Sequence, residues 1–348
     1  MNLGLGFWTL DFGFLFLYLD PCTFSRALYK LIMKNKKVII VLGPTAVGKT
    51  AVVVQLAQYF HTSIISADSR QCFKELNIGV AKPSVAELQM VHHYFINSHS
   101  IRDEMNAAIF EQLALQWTDE IFKEKDVLVM VGGTGLYIKA FCEGLDDMPP
   151  VSVKTRNEIQ ADYEKKGIKW LQEQVKEKDP LYYASGEILN PQRLVRALEV
   201  KLATGNSILS YRKKNQKKRS FDIVQIGLQL PKDQLHRNID TRVESMIEHG
   251  LPEEVKGLLS WRHLNSLRTV GYTELFDWID GKIALEQAVD LIKKNTRQYA
   301  KRQMTWFRKD HTIQWMHPDD VSGKLMVDRP GKRSRGKGFA LKAIRSGG

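Results

Sequence analysis

"KVIIVLGPTAVGKTAVVVQLAQYF" occupies residues 37–60. Its first seven residues are a β-branched, apolar run closed by Gly43. Its last eleven have helical periodicity. Between them, Gly43 to Thr50 match G-x-x-x-x-G-K-[ST], the spacing of a phosphate-binding loop between a strand and a helix. The physics of such a loop is specific. Gly43 and Gly48 let the backbone turn until the amide N–H groups of Pro44-flanked Thr45, Ala46, Val47 and Gly48 can converge on one anion. The helix that follows adds its positive end. Lys49 supplies a mobile cation, and the Thr50 hydroxyl suits a Mg²⁺ ligand.

The surrounding chain extends this strand–loop–helix unit. "TSIISADS" (62–69), "DVLVMVGGTG" (126–135) and "FDIVQIGLQL" (221–230) read as further buried strands. "MNAAIFEQLALQWTDEIFKEK" (105–125) is an amphipathic helix between two of them. Strands alternating with helices predict an α/β fold, a P-loop NTPase-like parallel sheet flanked by helices. From about Pro149 to Ser220 the pattern is helical and charged, with Gly167 expected to join two helices. We read it as a helical insertion domain. After Pro231 the chain reads as a helical C-terminal part. The boundaries expected are an N-terminal extension (1–35), the core (36–150), the insertion (151–220), the rest of the core (221–318) and a basic tail (319–348).

Composition narrows the function. The 348 residues carry a formal charge of +12, which points to a polyanionic partner, nucleic acid first. Three scattered cysteines, Cys22, Cys72 and Cys142, lack metal or disulfide spacing and fit a cytoplasmic protein. The apolar run before Met33 is a poor signal peptide and a marginal span, so no membrane role is expected. The pair His92-His93 has no companion ligands nearby and reads as structural. The last 28 residues carry eight Lys/Arg and one Asp.

A hydrolytic P-loop enzyme needs an acid at the end of an apolar strand to hold Mg²⁺. Here that strand ends in Gly132-Gly133-Thr134-Gly135, and the acid at a strand end is Asp68. From these residues alone a small-molecule P-loop kinase, an RNA-binding switch protein and an enzyme that expels diphosphate all remain open.

Eight ordered segments then resemble one family. "GPTAVGKT", "ISADSRQ" (65–71), "NIGVAKP" (77–83), "VGGTGLYIKA" (131–140), "NPQRLVRALEV" (190–200), "IDTRVESMIEHGL" (239–251), "LRTVGY" (267–272) and "TRQYAKRQMTWFRK" (296–309) are similar to tRNA dimethylallyltransferases of bacterial type. Cys72-Phe73 and the valine of "GVAKP" depart from the family's usual residues, and no C-terminal zinc finger is present. The resemblance implies transfer of a dimethylallyl group from dimethylallyl diphosphate to N6 of adenosine 37, beside the anticodon. It implies Mg²⁺ as cofactor and tRNA as partner, with a monomer as the default. Lys49, Thr134 and Arg242 would stabilise the leaving diphosphate, and Asp68 would take the amine proton. The alternative roles are a magnesium-shell carboxylate for Asp68 and a helix cap for Thr134.

For tRNA, the resemblance implies contacts from Asp68, Ser69, Arg70, Gln71 and Thr134 near the reacting base. It adds Arg156, Gln192, Arg193, Leu194, Val195 and Arg196 in the insertion, and Arg268, Gly271, Tyr272, Arg297, Lys301 and Arg302 beyond it. The run 293–309 has seven cations and no acid, and "YRKKNQKKR" (211–219) has six. Both suit phosphate contacts.

Overall fold

The computed structural model describes residues 35–185, 187–213 and 216–321. The expected N-terminal extension up to residue 34, Cys22 with it, and the tail beyond Val321 lie outside the described residues.

Six strands form one sheet: β1 (Lys37–Leu42), β2 (Ile64–Ala67), β3 (His93–Tyr94), β4 (Val127–Gly132), β5 (Asp222–Leu228) and β6 (Gln314–Met316). Their order is β3-β2-β4-β1-β5-β6, and every pairing is parallel. Val38, Ile40 and Val41 of the central β1 are wholly buried. Covering on both faces explains why these strands read as continuous apolar runs instead of alternating ones. The four longer strands are those visible in the sequence. β3 and β6 are additions at the two edges, of two and three residues, too short to carry a period. His93 lies in β3, and its Nδ1 pairs with the Val91 carbonyl at 2.8 Å.

The chain divides into two compact units. The first takes residues up to 106, with 112–137 and 220 onward; the second takes 107–111 and 138–219. In the first, α1 (Lys49–Tyr59) follows the phosphate loop, α2 (Val85–Met90) is short, and α3 (Ala107–Ile121) runs on from residues counted with the second unit.

The second unit holds most of α4 (Gly135–Glu143), α5 (Val153–Lys178), α6 (Pro180–Ala184) and α7 (Pro191–Thr204). α5 is broken at Gly167, where φ is +77°, as the sequence predicted. Leu171, Val175, Tyr182, Leu194 and Leu198 form the unit's own core. Arg219, counted above among the cations of 211–219, is tied down. Its guanidinium donates to the carbonyls of Ala140 and Phe141 and to Glu111 Oε1, at 2.8–2.9 Å.

Four helices complete the first unit: α8 (Lys232–Glu248), α9 (Leu251–Gly257), α10 (Tyr272–Ile279) and α11 (Leu285–Phe307). Val321, placed in the tail by the sequence reading, is 5 % exposed and packs into the sheet core.

The register fixes the site. Gly132 of β4 stands level with both Leu42 of β1 and Ala67 of β2. The residues that leave these strands at their carboxyl ends therefore start side by side: Gly43, Asp68 and Gly133. Ligands of open parallel sheets bind at that edge. Gly43 shows how tightly the loop is seated. Its φ is +145°, and a Cβ there would lie 2.6 Å from the Leu228 carbonyl oxygen. Gly43→Ala is expected to destabilise the protein by about 1–3 kcal/mol in a urea melt and to abolish pyrophosphate binding by calorimetry.

Candidate active site at the carboxyl ends of the sheet

The phosphate loop enters α1 through Gly48, whose left-handed φ of +94° turns the chain into the helix. Gly43, Pro44, Ala46 and Val47 are buried, Thr45 and Thr50 are half-buried, and Gly48 is exposed. Lys49 Nζ donates to the carbonyls of Gly43 (3.1 Å) and Pro44 (2.7 Å). Burial, reinforced by the neighbouring Arg242 guanidinium and offset by Asp68, lowers its pKa to about 7. The free protein thus holds Lys49 charged below about pH 7 and loses that charge above it. A bound polyanion favours the charged form. Calorimetry of pyrophosphate binding at pH 8 in two buffers is expected to show more proton uptake by the parent than by Lys49→Arg, which stays charged throughout.

Arg242 reaches the loop from α8, its Nη1 donating to Thr45 Oγ1 at 3.3 Å. Asn238, one turn earlier, donates to the Ala46 carbonyl at 3.2 Å. Beside them lies a cleft of about 930 Å³, lined by Ala46–Gly48, Ile78, Lys82, Leu230, Met246 and Arg242 among others. Lys82 is anchored on the Phe73 carbonyl (2.6 Å), Asn77 and Asn97, and burial lowers its pKa to about 8.

Asp68 begins the next turn. Its Oδ1 accepts from the amides of Arg70 (2.9 Å) and Gln71 (3.3 Å), so the carboxylate is oriented by its own chain. Thr134 stands opposite: its Oγ1 accepts from the Ser69 amide at 3.1 Å and pairs with the Tyr299 hydroxyl. Burial, then the Asp68 charge, push that tyrosine up to about 12. Lys49, Asp68, Ser69, Arg70, Thr134 and Arg242 are thereby gathered within one unit.

Several expected RNA contacts face inward instead. Gln71 Nε2 is bound to the carbonyls of Val80 and Ala81, bracing the 77–82 loop. Tyr272 is fully buried with its ring over Gly79, and its hydroxyl donates to Glu254 at 2.6 Å. Glu254 in turn accepts from the amides of Asn77, Ile78 and Gly79. Gly271 is buried, its amide held by Glu274 at 2.8 Å. Leu194 is fully buried in the second unit's core, and Val195 packs against that core. Tyr272 and Leu194 are thus enclosed by the protein, and the Gln71 amide is committed to backbone carbonyls.

The charged members are partly engaged. Arg297 grips Asp240 at 2.7 Å and Arg193 pairs with Glu187. Arg156 and Arg196 share the buried Glu199, at 3.4 and 3.0 Å. Gln192, Arg268, Lys301 and Arg302 are exposed.

Gln303, Asn238 and Glu254 are site or support residues that sequence reasoning missed. Gln303 left a trace: it is a polar residue on the stripe of α11 that also carries Ala300 and Phe307, both buried.

A sequence model described as IPP transferase matches residues 71–310. The chain belongs to the IPP transferase family. It is 43% identical to the tRNA dimethylallyltransferase of Cytophaga hutchinsonii, over 83% of this chain and 95% of that one. It resembles the crystal structure of a tRNA isopentenylpyrophosphate transferase from Bacillus halodurans, at 35% identity and a TM-score of 0.61, covering 84% of this chain and 93% of the other. A eukaryotic dimethylallyltransferase acting on tRNA aligns with a TM-score of 0.66 and 26% identity, over 82% of this chain and 75% of the other. Among the described residues of this IPP transferase, no helix is long and apolar enough to cross a membrane.

Proposed function

We propose that the protein moves the dimethylallyl group of dimethylallyl diphosphate to N6 of adenosine 37, next to the anticodon of a tRNA, with release of diphosphate. The observation that carries this reading is the convergence at one sheet edge of a phosphate cradle and a carboxylate, with Lys49 in electrostatic reach of both Arg242 and Asp68. The relatives named above support it over phosphoryl transfer. So does the end of β4, which carries glycines where a kinase's metal-holding acid would be sought.

The chemistry follows from charge. As the allylic C–O bond breaks, its electron pair goes to the diphosphate. The amides of Ala46, Val47 and Gly48, the amino end of α1, Lys49 and Arg242 stabilise that charge, the Thr45 amide being held by Gln303. The C–N bond forms as N6 attacks, and the amine proton passes to Asp68. Thr134, fixed by Ser69 and Tyr299, borders the same space. Magnesium fits as a partner of the diphosphate: Thr50 offers a hard hydroxyl oxygen, and this cation keeps several ligands from substrate and water. Among the described residues no three acidic, cysteine or histidine side chains form a metal cluster of their own. When bound, such an ion would neutralise diphosphate charge.

The adenine must leave its stack to reach this space. Exposed Lys294, Lys301 and Arg302 on α11, and Arg308 just past its end, suit phosphate contacts. In the second unit, exposed Gln192 and the guanidinium groups of Arg156 and Arg196 suit the same role. Radiolabelled dimethylallyl diphosphate incubated with undermodified tRNA is the test. Label entering tRNA is the expected result; ATP consumption with a small acceptor and no labelled tRNA would overturn it.

A further inference from the structure

We propose that Gln303 is a positioning residue that locks the phosphate loop to the glycine turn after β4, and so sets the place of Arg242. The inference rests on the donor site described above. Gln303 is 6 % exposed and lies on the inner stripe of α11. Its amide divides between two backbone groups that no strand ladder satisfies. Nε2 donates to the Gly133 carbonyl at 2.9 Å, and Oε1 accepts from the Thr45 amide at 2.9 Å. One residue thus joins loops that leave two different strands, β4 and β1.

Two further observations show that this contact is built in. A Cβ at residue 133 would lie 2.2 Å from Gln303 Nε2, so glycine at that point is the counterpart of the glutamine. One turn back on the same helix, Tyr299 pairs with Thr134, the next residue of the turn. Spacing of i and i+4 places both on one helix face. Through Thr45 the link continues outward: the same residue whose amide Gln303 holds accepts Arg242 Nη1 on its hydroxyl. Freeing the Thr45 amide removes the fixed end of that chain, and Arg242 loses its registry with the diphosphate.

The chemistry calls for glutamine. The two partners are one acceptor and one donor, so the side chain must offer one of each. Glutamate has the right length but no N–H. It would set a carboxylate oxygen against the Gly133 carbonyl and place a negative charge beside an anion cradle. Asparagine keeps both groups one methylene short. Methionine keeps the shape and neither hydrogen bond.

The test compares Gln303→Glu, Gln303→Met and Gln303→Asn with the parent, each checked by circular dichroism melting. Inorganic pyrophosphate affinity is read by calorimetry, donor KM and kcat by label transfer, and tRNA Kd by filter binding. Gln303→Glu and Gln303→Met are expected to weaken pyrophosphate binding by about tenfold or more. Donor kcat/KM should fall at least as far, with tRNA Kd within about twofold of the parent. Gln303→Asn should recover part of the loss seen in Gln303→Met. The near-isosteric glutamate variant keeps the proposal testable if methionine or asparagine unfolds the chain. Pyrophosphate affinity unchanged in Gln303→Glu would overturn the proposal, as would tRNA binding weakened as much as pyrophosphate binding. Because pyrophosphate needs no acceptor, a parent that binds it through Gln303 yet labels no tRNA would refute the proposed reaction and leave this inference standing.

Discussion

Asp68→Asn is expected to lower kcat for prenyl transfer by about 10²–10⁴-fold while tRNA affinity holds. Asparagine suits the experiment because the geometry around Asp68 separates its two roles. One carboxylate oxygen already accepts the amides of Arg70 and Gln71. An asparagine Oδ1 can accept both, so the turn after β2 survives. What disappears is the second oxygen as a proton acceptor, because an amide NH₂ is a donor. Single-turnover assays with preformed enzyme–tRNA complex isolate that step. Wild-type turnover in Asp68→Asn would leave the carboxylate a turn-former and send the search for the base elsewhere. Lost tRNA binding with an unchanged chemical step would instead move Asp68 to recognition of the base.

Arg242→Ala is expected to cost about 10²–10³-fold in kcat, with tRNA Kd unchanged. Arg242 is half-buried, and its guanidinium is held below its ordinary pKa by desolvation. A cation in such surroundings acts strongly on charge that develops on a leaving diphosphate. It also acts on Lys49, whose depressed pKa owes part of its lowering to Arg242. Removing the guanidinium should therefore raise the Lys49 pKa toward its usual value and shift the alkaline limb of the pH profile for pyrophosphate binding upward. The two effects have opposite signs: catalysis falls while the alkaline range of binding widens. A merely destabilised protein would lose both together.

The sequence displayed the chemistry of this protein more plainly than its scaffolding. The phosphate loop is contiguous, and its strand and helix carry strong periodicity, so fold class and cradle could be read directly. Asp68 and Thr134 could be located because each ends a recognisable strand. The two edge strands are too short for any period to register. The inward turn of Tyr272, Leu194 and Gln71 was illegible for another reason. A motif names the residues that matter without saying whether they meet the ligand or support what does. Tyr272 sits inside the protein because Glu254 and a side-chain-free Gly79 make room for it, and those partners are 18 and 193 positions away. Gln303 is similar: its partners, Thr45 and Gly133, are 258 and 170 residues distant. Such long-range pairings leave no local signature.

The outermost strand next to β5 comes from residues 314–316, which leave the ribosome after nearly all the rest of the sheet. Until they arrive, the Ile226–Leu228 end of β5 offers an open edge of unpaired amides and carbonyls, the kind of edge on which chains associate. A nascent chain therefore carries its completed donor loop alongside an unfinished sheet, and a stop codon before Gln314 would fix that exposed state permanently. Truncation after Val321 leaves β6 and its pairing with Ile226–Leu228 in place.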